Sequence, residues 1–108
     1  DAYGFVLWPG GALPFAPFAT VAEAEGLTVV APLDVLAEAG LASEPWGRIS
    51  LTIHSDLTAV GLTAAFAAAL AREGISCNVI AGLHHDHLFV PWDRRGVALR
   101  ALEALAHV

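Results

Sequence analysis

Three histidines and an aspartate occupy consecutive positions, His84-His85-Asp86-His87, in a chain of 108 residues with five histidines. Imidazoles and a carboxylate at that density invite a metal centre or an acid–base group. A second concentration is His54-Ser55-Asp56, where a hydroxyl stands beside an imidazole and a carboxylate. A metal needs three or four donors converging on one point. Consecutive residues of a hairpin diverge, so at most two of His84, His85 and His87 converge. A serine hydrolase needs a strand–turn–helix G-x-S-x-G elbow and an oxyanion hole, and neither is visible. No catalytic residue and no resident metal are therefore expected.

Which of these side chains meet depends on the elements that carry them. Arg48-Ile49-Ser50-Leu51-Thr52-Ile53-His54 alternates strictly, which predicts a half-buried strand with Ile49, Leu51 and Ile53 inward and Ser50, Thr52 and His54 outward. Ser55 or Asp56 then caps a helix with Val60, Ala64, Ala67 and Ala71 on its apolar face, flanked by Phe66 and Leu70, and Gly74 is its C′ residue. Ile75-Ser76-Cys77-Asn78-Val79-Ile80-Ala81 reads as a second strand and Leu88-Phe89-Val90 as a third. Pro91 ends the third strand and Asp93 caps a last helix with an apolar side of Val97, Ala98, Ala101, Leu102 and Leu105. The order is βαββα.

The N-terminal half is a looser echo. Residues 3–8 read as a strand, and Pro9-Gly10-Gly11, Pro14 and Pro17 then forbid a helix. Residues 18–24 and 27–31 form a hairpin around Glu25-Gly26, followed by a short helix from residue 34 to about residue 39. Val29-Val30-Ala31-Pro32-Leu33-Asp34 and Leu88-Phe89-Val90-Pro91-Trp92-Asp93 share one pattern of strand, proline, spacer and aspartate cap. The expectation is an α+β fold with antiparallel sheets and two related lobes in one compact unit. Residues 1–45 form a degenerate ββ(β)α lobe that has lost its first helix, and residues 46–108 the βαββα lobe.

Alternation gathers Thr52, His54, Ser76, Asn78 and His87 on one sheet face, whose plain reading is solvation. The loop 54–61 offers more. A strand end running into a helix N-terminus concentrates free backbone N–H groups, which favour a carboxylate. Gly61 early in that helix costs about 1 kcal/mol against alanine. Close approach of a ligand or a neighbouring chain accounts for it, and so does tight helix–sheet packing.

Composition narrows the partners. At 56% apolar residues and a mean hydropathy of +0.63, the chain is no disordered segment. Its net charge of −6, with five arginines and no lysine, argues against nucleic acid and an anionic membrane surface. The longest apolar run, residues 64–71, is far short of the roughly 20 residues of a membrane span, and no secretory signal is visible. The lone Cys77 excludes an internal disulfide and suits the cytoplasm. Asp1 as first residue and the lack of methionine point to a trimmed N-terminal segment. High apolarity with few charges predicts a homodimer or higher homo-oligomer.

Several stretches resemble a known family. Gly61-Leu62-Thr63-Ala64-Ala65-Phe66 and its continuation to Ile80 look like the helix-to-strand signature of ACT domains. These are regulatory βαββαβ-type, ferredoxin-like modules of aspartokinase and other amino-acid enzymes. Glu23-Ala24-Glu25-Gly26-Leu27-Thr28, Leu51-Thr52-Ile53-His54-Ser55, Gly74-Ile75-Ser76-Cys77-Asn78-Val79 and His85-Asp86-His87-Leu88-Phe89-Val90-Pro91 resemble a stand-alone bacterial ACT group. That group is related to the ACT modules of aspartokinases and of the CASTOR arginine sensors. The resemblance covers most of the chain from about residue 23 and implies a regulatory protein, not an enzyme. It further implies an amino-acid ligand where two ACT sheets meet, and no cofactor. Carried over, the ligand-binding positions are His54, Ser55, Asp56, Gly61 and Leu62, with Asn78, Val79 and Ile80 from a neighbour, and His87 lining the pocket. Two other readings stay open: a metal-binding protein using His54, His85 and His87, and an oligomerisation module with a vestigial ligand site.

Overall fold

A computed structural model describes residues 1–51 and 62–106. Its contacts divide the chain into two compact units, Asp1–Trp46 and Gly47–Val108.

In the first unit, β1 (Ala2–Trp8), β2 (Ala19–Glu23) and β3 (Gly26–Pro32) form an antiparallel sheet in the order β2-β3-β1, followed by α1 (Leu33–Glu38). The β2–β3 hairpin closes with Glu23 opposite Gly26, as the Glu25-Gly26 turn signal predicts. Val29, Ala31 and Leu36 are buried, with Val6, Trp8, Leu27 and Leu41 packed around them. Residues 9–18 contain no helix, and the loop instead contributes Leu13 and Phe15 to that core. Phe15 sets its ring edge-on to Trp8 at 6.4 Å.

The second unit carries β4 (Trp46–Leu51), α2 (Leu62–Arg72), β5 (Asn78–Ala81), β6 (Asp86–Pro91), a 3₁₀ turn (Trp92–Arg94) and α3 (Arg95–Ala106). Its strand order is β4-β6-β5, the same first–third–second arrangement as in the first unit. Phe66 and Leu70 of α2, Leu88 and Val90 of β6, and Ala98 and Leu102 of α3 form its core with Ile75. Ile49 and Leu51 pack against them, as their alternation predicts.

Three expectations need correction. The α2 stripe of Ala64, Ala67 and Ala71 is exposed, and Phe66, Ala69 and Leu70 face inward. Residues 64–71 are all apolar, so period alone cannot choose a face, and the bulkiest side chains win the interior. The second strand starts at Asn78, not Ile75. After α2, Gly74 (φ +69°) closes a Schellman cap in which the N–H groups of Gly74 and Ile75 donate to Ala71 and Leu70 carbonyls. Ile75 is thereby committed to its cap contact with Leu70 before pairing begins. Finally, Asp34 and Asp93 lie in first turns, and prolines Pro32 and Pro91 stand at the N-cap position with no side-chain cap bond. A carboxylate one residue inside the turn still suits the helix dipole.

Candidate functional site

The hairpin from β5 to β6 decides the histidine cluster. Gly82 N–H donates to the His85 carbonyl at 2.8 Å, so residues 82–85 form a tight loop with Leu83, His84 and His85 exposed. Asp86 begins β6 opposite Ala81 and is buried. His87 then lies opposite Ile80 and points away from the helices, since Leu88 on its other side enters the core. The four residues thus diverge. His85 and His87 approach each other, with ring centroids 6.3 Å apart. Among the described residues, no group of three or more metal-ligating side chains converges.

His87 has a partner on the neighbouring strand. Its Nδ1 shares a hydrogen bond of 2.7 Å with Ser50 Oγ of β4. Two residues before Ser50 on the same strand face, Arg48 is exposed, and its charge acts on His87. Burial, then the charges of Arg48 and His85, push the His87 imidazole below its ordinary range, against an opposing pull from Asp86. Arg48 and Ser50 also border an open groove of about 540 Å³, whose far wall is Arg95, Gly96 and Leu99 of α3. The Arg95 guanidinium is stacked 3.7 Å from the Trp92 ring centroid and donates to the Trp92 carbonyl.

Of the residues expected to bind a ligand, His54, Ser55, Asp56 and Gly61 lie outside the described residues, and Leu62 opens α2. Asn78 and Val79 are exposed and Ile80 half-buried on β5, the outer strand of its unit. The hairpin sets Ile80 beside His87 and Asn78 beside Phe89. Phe89, on the same side of β6 as His87 by alternation, is fully buried. Arg48 and Ser50 were not singled out by sequence reasoning. The signal was there, since both belong to the outward row of an alternating strand, but nothing local shows that His87 lands opposite them. Cys77 packs against the core, and burial raises its thiol pKa, so it is a poor nucleophile. Among the described residues no helix is long and apolar enough to cross a membrane.

Comparison with known proteins gives a family and two structures. Residues 43–104 match the ACT domain family. A crystal structure of a protein of unknown function from Vibrio cholerae, described as a possible transport protein, is similar to this chain at 49% identity. That match covers 94% of this chain and 80% of the other, with a TM-score of 0.88. A protein from Agrobacterium tumefaciens matches at 19% identity over 95% of this chain and 81% of its own, with a TM-score of 0.72, and speaks for the fold alone. No curated protein matches the sequence.

Proposed function

Because this chain belongs to the ACT-domain family of regulatory, small-molecule-binding modules, we propose that it is a non-catalytic, cytoplasmic sensor of an amino acid. In this reading the ligand sits where ACT units of two copies meet. His54, Ser55, Asp56, Gly61 and Leu62 form one wall, and Asn78, Val79 and Ile80 of the second copy form the other, with His87 at its margin. The observation that carries the reading is the family match over residues 43–104, which takes in every one of these positions. Free amides at the start of α2 hold the α-carboxylate, and Asp56 the α-ammonium. β5 supports the reading because, among the described residues, one of its edges has no partner strand within its unit, which leaves backbone groups for a ligand or a second copy. Residues 1–45 are then a degenerate lobe that serves as scaffold, and residues 46–108 the ligand-binding one. A site built from two copies makes the working species a homodimer or a higher homo-oligomer.

Thermal-shift measurements against the twenty amino acids test this directly. A true ligand at a hundredfold excess over its Kd stabilises by about 2.7 kcal/mol. Asp56→Asn should abolish that shift while leaving the oligomer, read by light scattering, intact. A flat response to all twenty at millimolar concentration sinks the sensor reading and leaves an oligomerisation module.

A further inference from the structure

The open face of the β4–β6 pair holds a cluster that the amino-acid reading does not use. Arg48 and Ser50 occupy successive outward positions of β4, and His87 is hydrogen-bonded to Ser50 across the strand boundary. The strand rise sets the two β4 residues about 6.6 Å apart along the chain, a spacing that one small oxyanion spans. His85 stands beside His87 on the side away from the helices. The Arg48 guanidinium stands here in a chain whose net charge is −6.

We propose that Arg48, Ser50 and His87 form a binding site for a small oxyanion, a carboxylate or a tetrahedral anion of the phosphate type. Arg48 supplies a charge-assisted hydrogen bond. Protonated His87 donates Nδ1–H to Ser50 Oγ, which turns the Ser50 hydroxyl proton outward to the anion. The site goes beyond the interface reading above and shares only His87 with it.

The groups facing His87 make the binding pH-dependent. From β4 comes Arg48, from the hairpin His85, from β6 Asp86, and from β5 only the uncharged Ile80. Burial first, then the Arg48 and His85 charges, lowers the His87 pKa; an anion opposes those two charges, so its binding favours proton uptake at His87, and affinity rises as pH falls.

Sulfate is the probe of choice because its charge is constant across this range. The whole chain is titrated with sulfate, and separately with glutarate, at pH 5.5 and pH 8.0 and constant ionic strength, with backbone and imidazole NMR signals followed. Saturable shifts at Arg48, Ser50 and His87 are expected, with roughly tenfold tighter binding at the lower pH, the worth of one charge-assisted hydrogen bond. Arg48→Gln should weaken binding by at least about tenfold with an otherwise unchanged spectrum, and Arg72→Gln, on exposed α2 surface, should not. Response to sulfate alone assigns a phosphate-type ligand, and response to glutarate alone a carboxylate. No saturable shift from either, or binding that survives Arg48→Gln, overturns the proposal.

Discussion

Gly4 of β1 and Gly47 of β4 occupy matching places in the two units, and what each one leans on differs. A Cβ at Gly4 would meet Leu36 Cδ1 at 2.6 Å and Ser43 Cβ at 2.8 Å. A Cβ at Gly47 would meet Arg95 Cβ at 3.1 Å. Leu36 lies four residues after Pro32, and Arg95 four residues after Pro91. The first strand of each unit therefore touches the same position of the helix that follows the third strand. The two units are one plan built with different materials. In the first, a proline-broken loop with Leu13 and Phe15 stands in for α2, and Gly40 (φ +76°) ends α1 after six residues with the same Schellman pattern that ends α2. The difference shows what the plan requires. The strand order and the glycine contact are kept, and in the first unit a loop that delivers Leu13 and Phe15 takes the place of the first helix.

The largest effects should come from those replacements. Phe66 of α2 is buried, and Phe15 of the loop is only half-buried. Phe66→Ala should cost about 3–5 kcal/mol and Phe15→Ala about half as much, measured by urea unfolding. Equal costs would mean that the loop packs as tightly as the helix, and the contrast between the units would lose its basis.

The matched glycines come next. Gly4→Ala should destabilise by about 1–3 kcal/mol, because both nearest groups are held. Leu36 is fully buried, and Ser43 Oγ accepts the Phe5 N–H at 2.9 Å. Gly47→Ala meets the Arg95 Cβ at a longer distance and should cost less than about 1 kcal/mol. Thermal unfolding of the two variants checks the order, and a larger cost at Gly47 would refute the equivalence.

Much of this plan was legible in the chain, and the misses have physical causes. The order βαββα, the hairpin at Glu25-Gly26 and the helix-free stretch after Trp8 follow from alternation, turn residues and prolines, which act within a few residues. The inward face of α2 did not follow, because eight consecutive apolar residues carry no period and only packing against Leu88 and Ile75 selects Phe66 and Leu70. The Ser50–His87 pair was half legible. Alternation put Ser50 outward, but the partner depends on strand register across residues far apart in sequence. The burial of Phe89, on the same strand face as the half-buried His87, had no local signal at all.

The smallest expected effect tests the open faces. His87 lies four residues before Pro91, and Thr28 four residues before Pro32. The row Ser50, His87, Ile80 in the second unit therefore matches Leu7, Thr28, Val21 in the first, where Thr28 faces both Leu7 and Val21. Leu7 and Val21 are exposed, so Leu7→Ser with Thr28→His should copy the polar pair at a change of about 0.5 kcal/mol or less. The surrounding charge is reversed, because Thr28 donates its hydroxyl to the Glu23 carboxylate. His87, depressed by burial, Arg48 and His85, contributes stability that is complete above about pH 6.5 and is lost as pH falls through its lowered value. The introduced imidazole, beside Glu23, should titrate above its ordinary range. Its contribution is then complete below about pH 6.5 and lost as pH rises. Imidazole NMR titration with melting curves from pH 5 to pH 8 separates the two signs. If both histidines titrate below the ordinary value, desolvation on an open sheet outweighs neighbouring charge. In that case the His87 proton is set by burial, and anion binding at Arg48 would change little with pH.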